Sequence, residues 1–389
     1  MKTLVVAAGR EGPIRAGHPW IYSRAIVRGL DAVEPGDPVR VEGPHGNFLA
    51  LGYAHPRTPI AVRVLSLEDE PVGPPLVARR LEAALALRAA LLPADTDAYR
   101  ILNGEGDWLP GVVVDRYGDV LVVQCLTAGA ARLAPLVVAA LVDRLGPRTI
   151  YERSEGAVRS EEGLESVRRL LWGVEPPPVL EVRERGMRLL VDVVRGQKTG
   201  MFLDQRDNRH LVGGLARGAR VLNAFAYTGG FAVAAGRGEA RSVVSVDTSR
   251  AALALGSEAW QRNGLPAERA AWIVADVFEW LRASQDSFEL IVLDPPPFAR
   301  RRRDREAALR GYRDLNLQAL RRLAAGGWLL TCSCSQHLDR QSFREVVAHA
   351  AAAAGRPAQV VAELGHTADH PTALPHAEGE YLKALLLRA

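Results

Sequence analysis

The 389-residue chain has only three cysteines, Cys125, Cys332 and Cys334. That is too few for a disulfide framework or a four-thiolate zinc site, and no metal is expected. No apolar run reaches the roughly 20 residues that span a bilayer. Met1-Lys2-Thr3 is followed by no long apolar segment of signal-peptide type. A soluble cytoplasmic protein, away from membranes, is therefore expected. Neither sign of charge dominates: 49 Lys and Arg face 45 Asp and Glu, for a net charge of +4 and a pI near 9.1. Such a mildly basic balance is compatible with a nucleic-acid partner without requiring one. Arginine greatly outnumbers lysine. The principal glycine turn lacks the Gly-x-Gly-x-x-Gly spacing, which argues against a nicotinamide dehydrogenase.

Apolar residues make up 48% of the chain, ample for two or three cores at roughly 100–200 residues per domain. Residues 1–70 read as a small β-rich domain, with strand-like runs Leu4–Ala7, Pro38–Val41, Phe48–Tyr53 and Ile60–Val64 between Gly and Pro turns. Its segment from Arg15 to Arg24 interleaves aromatic and basic residues, as RNA-binding surfaces do. Trp20 reads more readily as core. After a Pro- and Gly-rich linker, residues 74–178 read as an α+β module. It has helices over Leu76–Leu92 and Ala130–Leu145 and strands over Trp108–Asp115, Val120–Leu126 and Thr149–Glu152. Asp107 and Asp115 read as turn and surface acids. Pro176-Pro177-Pro178 marks the next boundary, and residues 179–389 form the third domain.

That domain opens on a hairpin turning at Arg185-Gly186. From Ala219 onward, strands alternate with helices, the pattern of a parallel α/β sheet. Strands are expected at Val221–Ala224, Val243–Val246, Trp272–Val274, Leu290–Leu293 and Trp328–Cys332, with two more at Gln359–Ala362 and Tyr381–Leu387. Ligands in such sheets sit beyond the carboxyl ends of the strands. The informative residues fall there.

The organising stretch is Val221 to Phe231, a buried strand, a Gly229-Gly230 turn and a helix start. Adjacent glycines let a backbone approach a ligand closely. Asp247, ending the next strand, stands where an acid holds ribose hydroxyls. Asp276, ending the third, suits an exocyclic amine, or a helix N-cap, or both. In Asp294-Pro295-Pro296-Pro297-Phe298 three prolines remove three donors and stiffen the turn, so that Asp294 can bond, and Phe298 stack on, a flat substrate. The basic run Arg300-Arg301-Arg302-Arg303 reads equally as a phosphate contact and as a solvated helix start. Cys334 lies just past an apolar strand, where a thiolate could attack an electrophilic carbon. Period-two alternation puts Cys332 on the same face if the strand continues, so spacing does not separate the two thiols. The block Gly196 to Arg209 is too polar for core and suits a small charged ligand.

These motifs, with Glu378-Gly379-Glu380-Tyr381-Leu382-Lys383 and the N-terminal Gly17-His18-Pro19-Trp20, resemble bacterial 23S rRNA cytosine-5 methyltransferases over nearly the whole chain. The resemblance implies a PUA domain (1–70), a middle α+β domain (74–178) and a class I, Rossmann-like methyltransferase domain (179–389). It implies S-adenosyl-L-methionine as methyl donor. Lys198, Thr199, Phe202 and Gln205 would line the donor site, with Asn223, Phe225, Ala226, Tyr227, Thr228 and Gly229 at the methionine moiety. Asp247 and Thr248 would meet the ribose, and Asp276 and Val277 the adenine. Cys334 matches the nucleophile and Asp294 the residue that bonds the cytosine ring. Pro295, Pro296, Phe298, Arg300, Arg301 and Arg302 would contact 23S rRNA or a large-subunit precursor. A homodimer is implied as well. Two alternatives stay open: an rRNA nitrogen methyltransferase that needs no thiol, and a non-catalytic RNA-binding assembly factor.

Overall fold

The computed structural model describes residues 1–299 and 301–389, and of Arg302 the backbone alone. The chain forms two compact units. The first comprises Met1–Pro178 with Val193–Arg195 and Ala368–Gly379; the second comprises Val179–Asp192, Gly196–Thr367 and Glu380–Ala389.

In the first unit, β1 (Lys2–Val6), β2 (Trp20–Tyr22), β3 (Ile26–Arg28), β4 (Asp37–Glu42), β5 (Phe48–Ala54) and β6 (Ile60–Ser66) form one sheet ordered β2-β6-β5-β4-β1-β3, with the short helix α1 (Glu11–Arg15) between β1 and β2. Alternate residues Leu4 and Val6, Val39 and Val41, and Val62 and Val64 bury into one core, as the two-residue strand period requires. Trp20 is half-buried, and its ring N–H donates to Glu105 Oε1 at 2.8 Å.

Helix α2 (Pro74–Leu91) starts on prolines, whose missing N–H costs nothing in a first turn. Then follow β7 (Ala98–Asn103), β8 (Val112–Tyr117), β9 (Val120–Cys125), α3 (Ala128–Leu145), β10 (Thr149–Ser154), α4 (Ala157–Glu161) and β11 (Val167–Gly173), with strand order β11-β10-β9-β8-β7. Strands β7 and β11 were not expected. Both are edge strands, and β11 exposes much of its length, so neither carries a strong apolar pattern. The surface placement expected for Asp107 and Asp115 is overturned, since both are buried. Arg88 grips Asp107 through two bonds of 2.6 and 2.7 Å, and Arg100 grips Asp115 at 2.8 and 3.0 Å. A buried carboxylate needs such a partner.

The second unit opens with the hairpin β12 (Leu180–Glu184) and β13 (Met187–Val191), whose turn residues Arg185 and Gly186 have φ of +48° and +72°. Two successive left-handed residues match the twist of a tight hairpin. Next come α5 (Arg206–Leu215), β14 (Arg220–Ala224), α6 (Gly230–Arg237), β15 (Ser242–Asp247), α7 (Arg250–Arg262), β16 (Ala270–Val274), α8 (Val277–Ala283), β17 (Phe288–Leu293), α9 (Arg305–Arg322), β18 (Leu323–Ser333), α10 (Arg340–Ala354), β19 (Gln359–Leu364) and β20 (Lys383–Arg388). The sheet runs β16-β15-β14-β17-β18-β20-β19.

Strands β14 to β18 are parallel, as expected. The last expected strand departs from that pattern: β20 lies antiparallel to both β18 and β19, so β19 points the same way as β14 to β18. Successive strand residues bury on opposite faces. Leu222, Val244, Ile291 and Leu329 pack with Tyr312, Leu315 and Phe343, whereas Val221, Val243, Leu290 and Cys332 pack with Val212, Phe231 and Trp260. Strand order reverses between β14 and β17, which opens a crevice at their carboxyl ends.

Candidate active site

A cavity of about 410 Å³ lies in the second unit, within the size range of small-ligand sites. It brings together Lys198, Phe202 and Gln205 from the segment before α5, Phe225 to Thr228 after β14, and Asp247 and Thr248 after β15. Asp294, Pro295 and Pro296 after β17 and Cys334 after β18 complete this set. Residues separated by up to 136 positions thus meet because each ends a strand of one sheet or borders it.

The turn after β14 and the segment before α5 are held in unusual backbone geometry. Phe225, Tyr227 and Lys198 have φ of +60°, +47° and +51°, a region that side chains other than glycine seldom enter. Such outliers persist where surrounding structure enforces them, and they cluster at functional sites. Here the enforcement is visible. Asp247 Oδ2 accepts from the Tyr227 amide at 2.9 Å and its Oδ1 accepts from the Ser249 amide at 2.8 Å. The Tyr227 hydroxyl donates to the Gly200 carbonyl at 2.9 Å and accepts from the Gln197 amide at 2.8 Å. Gly229 has φ +73°, and a Cβ there would meet the Trp272 ring at 2.8 Å. Its missing side chain leaves room for packing of the turn against Trp272 of β16 and Gly256 of α7; Gly229 does not line the cavity, whereas the adjacent Gly230 does.

The cavity's floor is acidic. Asp294 receives a hydrogen bond from Gln205 Nε2 at 2.8 Å. Burial, reinforced by the neighbouring Asp204 carboxylate, pushes Asp294 up to about 7. Asp204 accepts from Lys198 Nζ and from the Tyr381 hydroxyl, each at 2.7 Å. Lys198 also lies 4.4 Å from the Phe202 ring centroid, within cation–π range. Asp204 and Tyr381 line the cavity but were not singled out from the sequence. Their signal was present, since both fall inside the polar blocks 196–209 and 378–383. Arg209 also faces the cavity, with its guanidinium committed to Glu184.

Burial separates the two thiols that spacing could not. Both pack on the same face of the sheet, as alternation implies. Cys332 is fully buried, which pushes its thiol well above the usual range. Cys334 is half-buried, lines the cavity, and sits with Sγ 3.8 Å from the Pro295 carbonyl oxygen. Burial, then the charge of Asp294, pushes Cys334 up to about 11.

Several expected site residues stand elsewhere. Thr199 and Asn223 are buried and do not line the cavity. The Asn223 side-chain amide nitrogen has no hydrogen-bond partner among the described residues. Asp276 caps α8 by accepting from the Glu279 amide at 3.0 Å, and neither it nor the buried Val277 lines the cavity. Phe298 packs on Tyr312 with ring centroids 4.6 Å apart. Arg301 is exposed. Arg300 and the Arg302 side chain lie outside the described residues.

Fold and cavity together define a doubly wound α/β enzyme of the class I methyltransferase type. Comparison with known proteins agrees. Residues 164–388 match the S-adenosylmethionine-dependent methyltransferase family model, and residues 4–67 match that of a PUA-like domain. "Ribosomal RNA large subunit methyltransferase I" of Erwinia tasmaniensis is 41% identical, with 99% of this chain and 98% of that protein covered. The protein of that name from Cronobacter sakazakii is 41% identical over 98% of this chain and 97% of its own length. A putative S-adenosylmethionine-dependent methyltransferase from Streptococcus mutans, 22% identical, superposes with a TM-score of 0.85 over both whole chains. A putative methyltransferase complexed with SAH superposes at 0.86 with 23% identity, again over both whole chains. The chain belongs to the S-adenosylmethionine-dependent methyltransferases and, among them, to the ribosomal RNA large subunit methyltransferase I family.

The methyl donor is S-adenosylmethionine, and the cavity's chemistry fits it. Three carboxylates, Asp204, Asp247 and Asp294, face a space rimmed by Phe202, Phe225, Tyr227 and Phe231. Acids suit a sulfonium cation and an amine; aromatic and apolar walls suit the remainder of the donor. Among the described residues no group of three or more His, Cys, Asp or Glu side chains could hold a metal ion.

Proposed function

We propose that this protein methylates carbon 5 of a cytosine in large-subunit ribosomal RNA, through a covalent bond between Cys334 and carbon 6 of the base. The observation that carries this reading is that Cys334 and Asp294 open onto one cavity while Cys332 does not. The names of the relatives and the PUA-like domain support an RNA of the large ribosomal subunit as substrate.

Asp247, pinned by two backbone amides, would hold the donor's ribose. Lys198, Phe202, Gln205 and the turn from Phe225 to Thr228, with Thr248, would line the rest. Thr199, Asn223 and Gly229 would shape that turn and its surroundings from behind. Asp276 and Val277, at the end of β16, would border the adenine. Pro295 and Pro296 would meet the cytosine, and Phe298 and Arg300 to Arg302 the adjoining RNA. When bound, S-adenosylmethionine supplies an electrophilic methyl group on a sulfonium sulfur.

Cys334 first gives up its proton to water, and its sulfur forms a bond to carbon 6. The electron pair of the carbon 5–carbon 6 double bond moves into the ring, and nitrogen 3 takes a proton from Asp294. A carboxyl pushed up to about 7 still carries that proton in much of the protein at neutral pH. Carbon 5 is then nucleophilic enough to be methylated. Loss of the carbon 5 proton to water restores the double bond and expels the Cys334 sulfur, and nitrogen 3 returns its proton to Asp294.

The test is transfer of labelled methyl groups to large-subunit ribosomal RNA, with the product read by bisulfite sequencing. One protected cytosine is expected with the wild type and none with Cys334→Ala. Transfer by Cys334→Ala at near full rate, or label on a ring nitrogen, overturns the reading. The same proposal places the enzyme in the cytoplasm as a homodimer, the latter checked by light scattering.

A further inference from the structure

Of the 49 Lys and Arg residues, only three are lysine: Lys2, Lys198 and Lys383. Two of the three belong to the surroundings of Cys334. Lys198 lines the cavity. Lys383 stands at the start of β20, paired in register with Ser333, and it does not line the cavity. Its side chain is 4% exposed. Among the described residues no carboxylate lies within ion-pair distance of it, and its Nζ donates to the Ser335 carbonyl at 2.7 Å. Its neighbours Leu382, Ala384 and Leu385 are buried and apolar.

An ammonium group buried in such a strand without a counter-ion is costly, and a leucine there would continue the pattern of β20. Nothing in the proposed mechanism uses Lys383. Its one hydrogen bond, however, closes on the residue that follows Cys334. Burial pushes Lys383 down to about 8; the Cys334 sulfur acts in the opposite sense, Arg340 in the same sense as burial, and Asp339 against it. Around Cys334 itself, Asp294 and Asp204 oppose a negative sulfur and Lys198 favours one.

We propose that Lys383 is a positioning residue for Cys334. Through the Ser335 carbonyl it holds the turn that carries the thiol, and its ammonium group offsets the negative charge that appears on the sulfur. In that step the S–H bond breaks, the electron pair stays on sulfur, and the proton passes to water; Lys383 keeps all of its protons. The proposal rests on Cys334 as the nucleophile, but its test does not require turnover.

The experiment is alkylation of the full-length protein with iodoacetamide across pH, with modification of the Cys334 peptide followed by mass spectrometry. Wild type is compared with Lys383→Gln, and with Lys383→Met, which matches the apolar strand should glutamine unsettle it. Circular dichroism and calorimetric binding of the methyl donor verify that each variant is folded. Below about pH 8, where Lys383 is charged, Cys334 labelling is expected to be about tenfold slower in both neutral variants, and the difference closes as the pH rises past the Lys383 value. Lys383→Arg, if folded, is expected to label within about threefold of wild type at neutral pH. An unchanged labelling rate near neutrality in a folded neutral variant overturns the proposal. Full methyl transfer by Cys334→Ala alongside slowed labelling would instead remove the cytosine-5 mechanism and leave the Lys383–Cys334 coupling standing.

Discussion

Gln205 and Asp294, 89 positions apart, are joined by a single hydrogen bond of 2.8 Å from the amide nitrogen to Oδ1. It ties the segment before α5 to the end of β17 and orients the carboxyl at the cavity floor. Gln205 is itself fixed, since its Oε1 accepts from Asn208 Nδ2. Gln205→Ala is expected to lower kcat about tenfold, the worth of one orienting bond to an ionisable group, with a smaller change in KM for the methyl donor. Steady-state kinetics with the RNA substrate measures both. Because this bond favours the carboxylate, its loss also moves upward the pH at which the rate levels off.

Asp294 makes both activity and stability depend on pH. Its folded-state value is about 7 against an ordinary 3.8. Between these values the folded chain keeps a proton that the unfolded chain has lost. Stability therefore falls as pH rises from about 4 to 7 and levels off above. Asp294→Asn is expected to abolish that decline in urea titrations across this window. In the wild type, methyl transfer is expected to rise with pH as the Cys334 thiolate forms and to level off above about pH 7, where loss of the Asp294 proton offsets the growing thiolate fraction; in Asp294→Asn it is weak at every pH.

The two thiols of the Cys332–Cys334 pair are expected to respond oppositely. Cys334→Ala reduces methyl transfer by about a thousandfold or more, since no other group on the cavity wall supplies a sulfur nucleophile. Cys332→Ala leaves the rate nearly intact and costs about 1 kcal/mol of stability for a small buried side chain. Rate assays and thermal melts on the same two variants distinguish them.

Gly229→Ala is expected to destabilise the turn by about 1–3 kcal/mol, because the new Cβ needs φ +73° and meets Trp272. Donor affinity, read by calorimetry, falls with it, since the turn positions Tyr227 over the Asp247 carboxylate. Asp247→Ala reaches the same result from the other side by removing the acceptor for the Tyr227 and Ser249 amides.

Lys383 places a stability cost beside the nucleophile. Its folded value of about 8 lies below the ordinary 10.5. Between these values the unfolded chain holds a proton that the folded chain has released, so stability rises with pH through this window. Lys383→Met is expected to raise the thermal midpoint at pH 7, with the gain shrinking above pH 8. Differential scanning calorimetry at three pH values checks the sign.

Much of this architecture is written in short-range order along the chain. Short continuous apolar runs, buried on both faces, mark β14, β15 and β17, and glycine, proline and capping residues place the turns that follow. Asp247, Asp294 and Cys334 are legible for that reason: each ends a short apolar run that reads as a buried strand, and strand ends are where a parallel sheet binds ligands. Partnerships across the chain are not legible in this way. Asp204 meets Tyr381, Arg88 grips Asp107, and β20 enters the sheet antiparallel beside β18, none of which any local period encodes. Cys332 and Cys334 share one period and one face, and only the packing of α5 and α6 over the first, with the cavity open at the second, makes one thiol inert and the other available. Residue spacing sets which way a side chain points, whereas burial and charge, which decide its chemistry, come from segments that folding alone brings near.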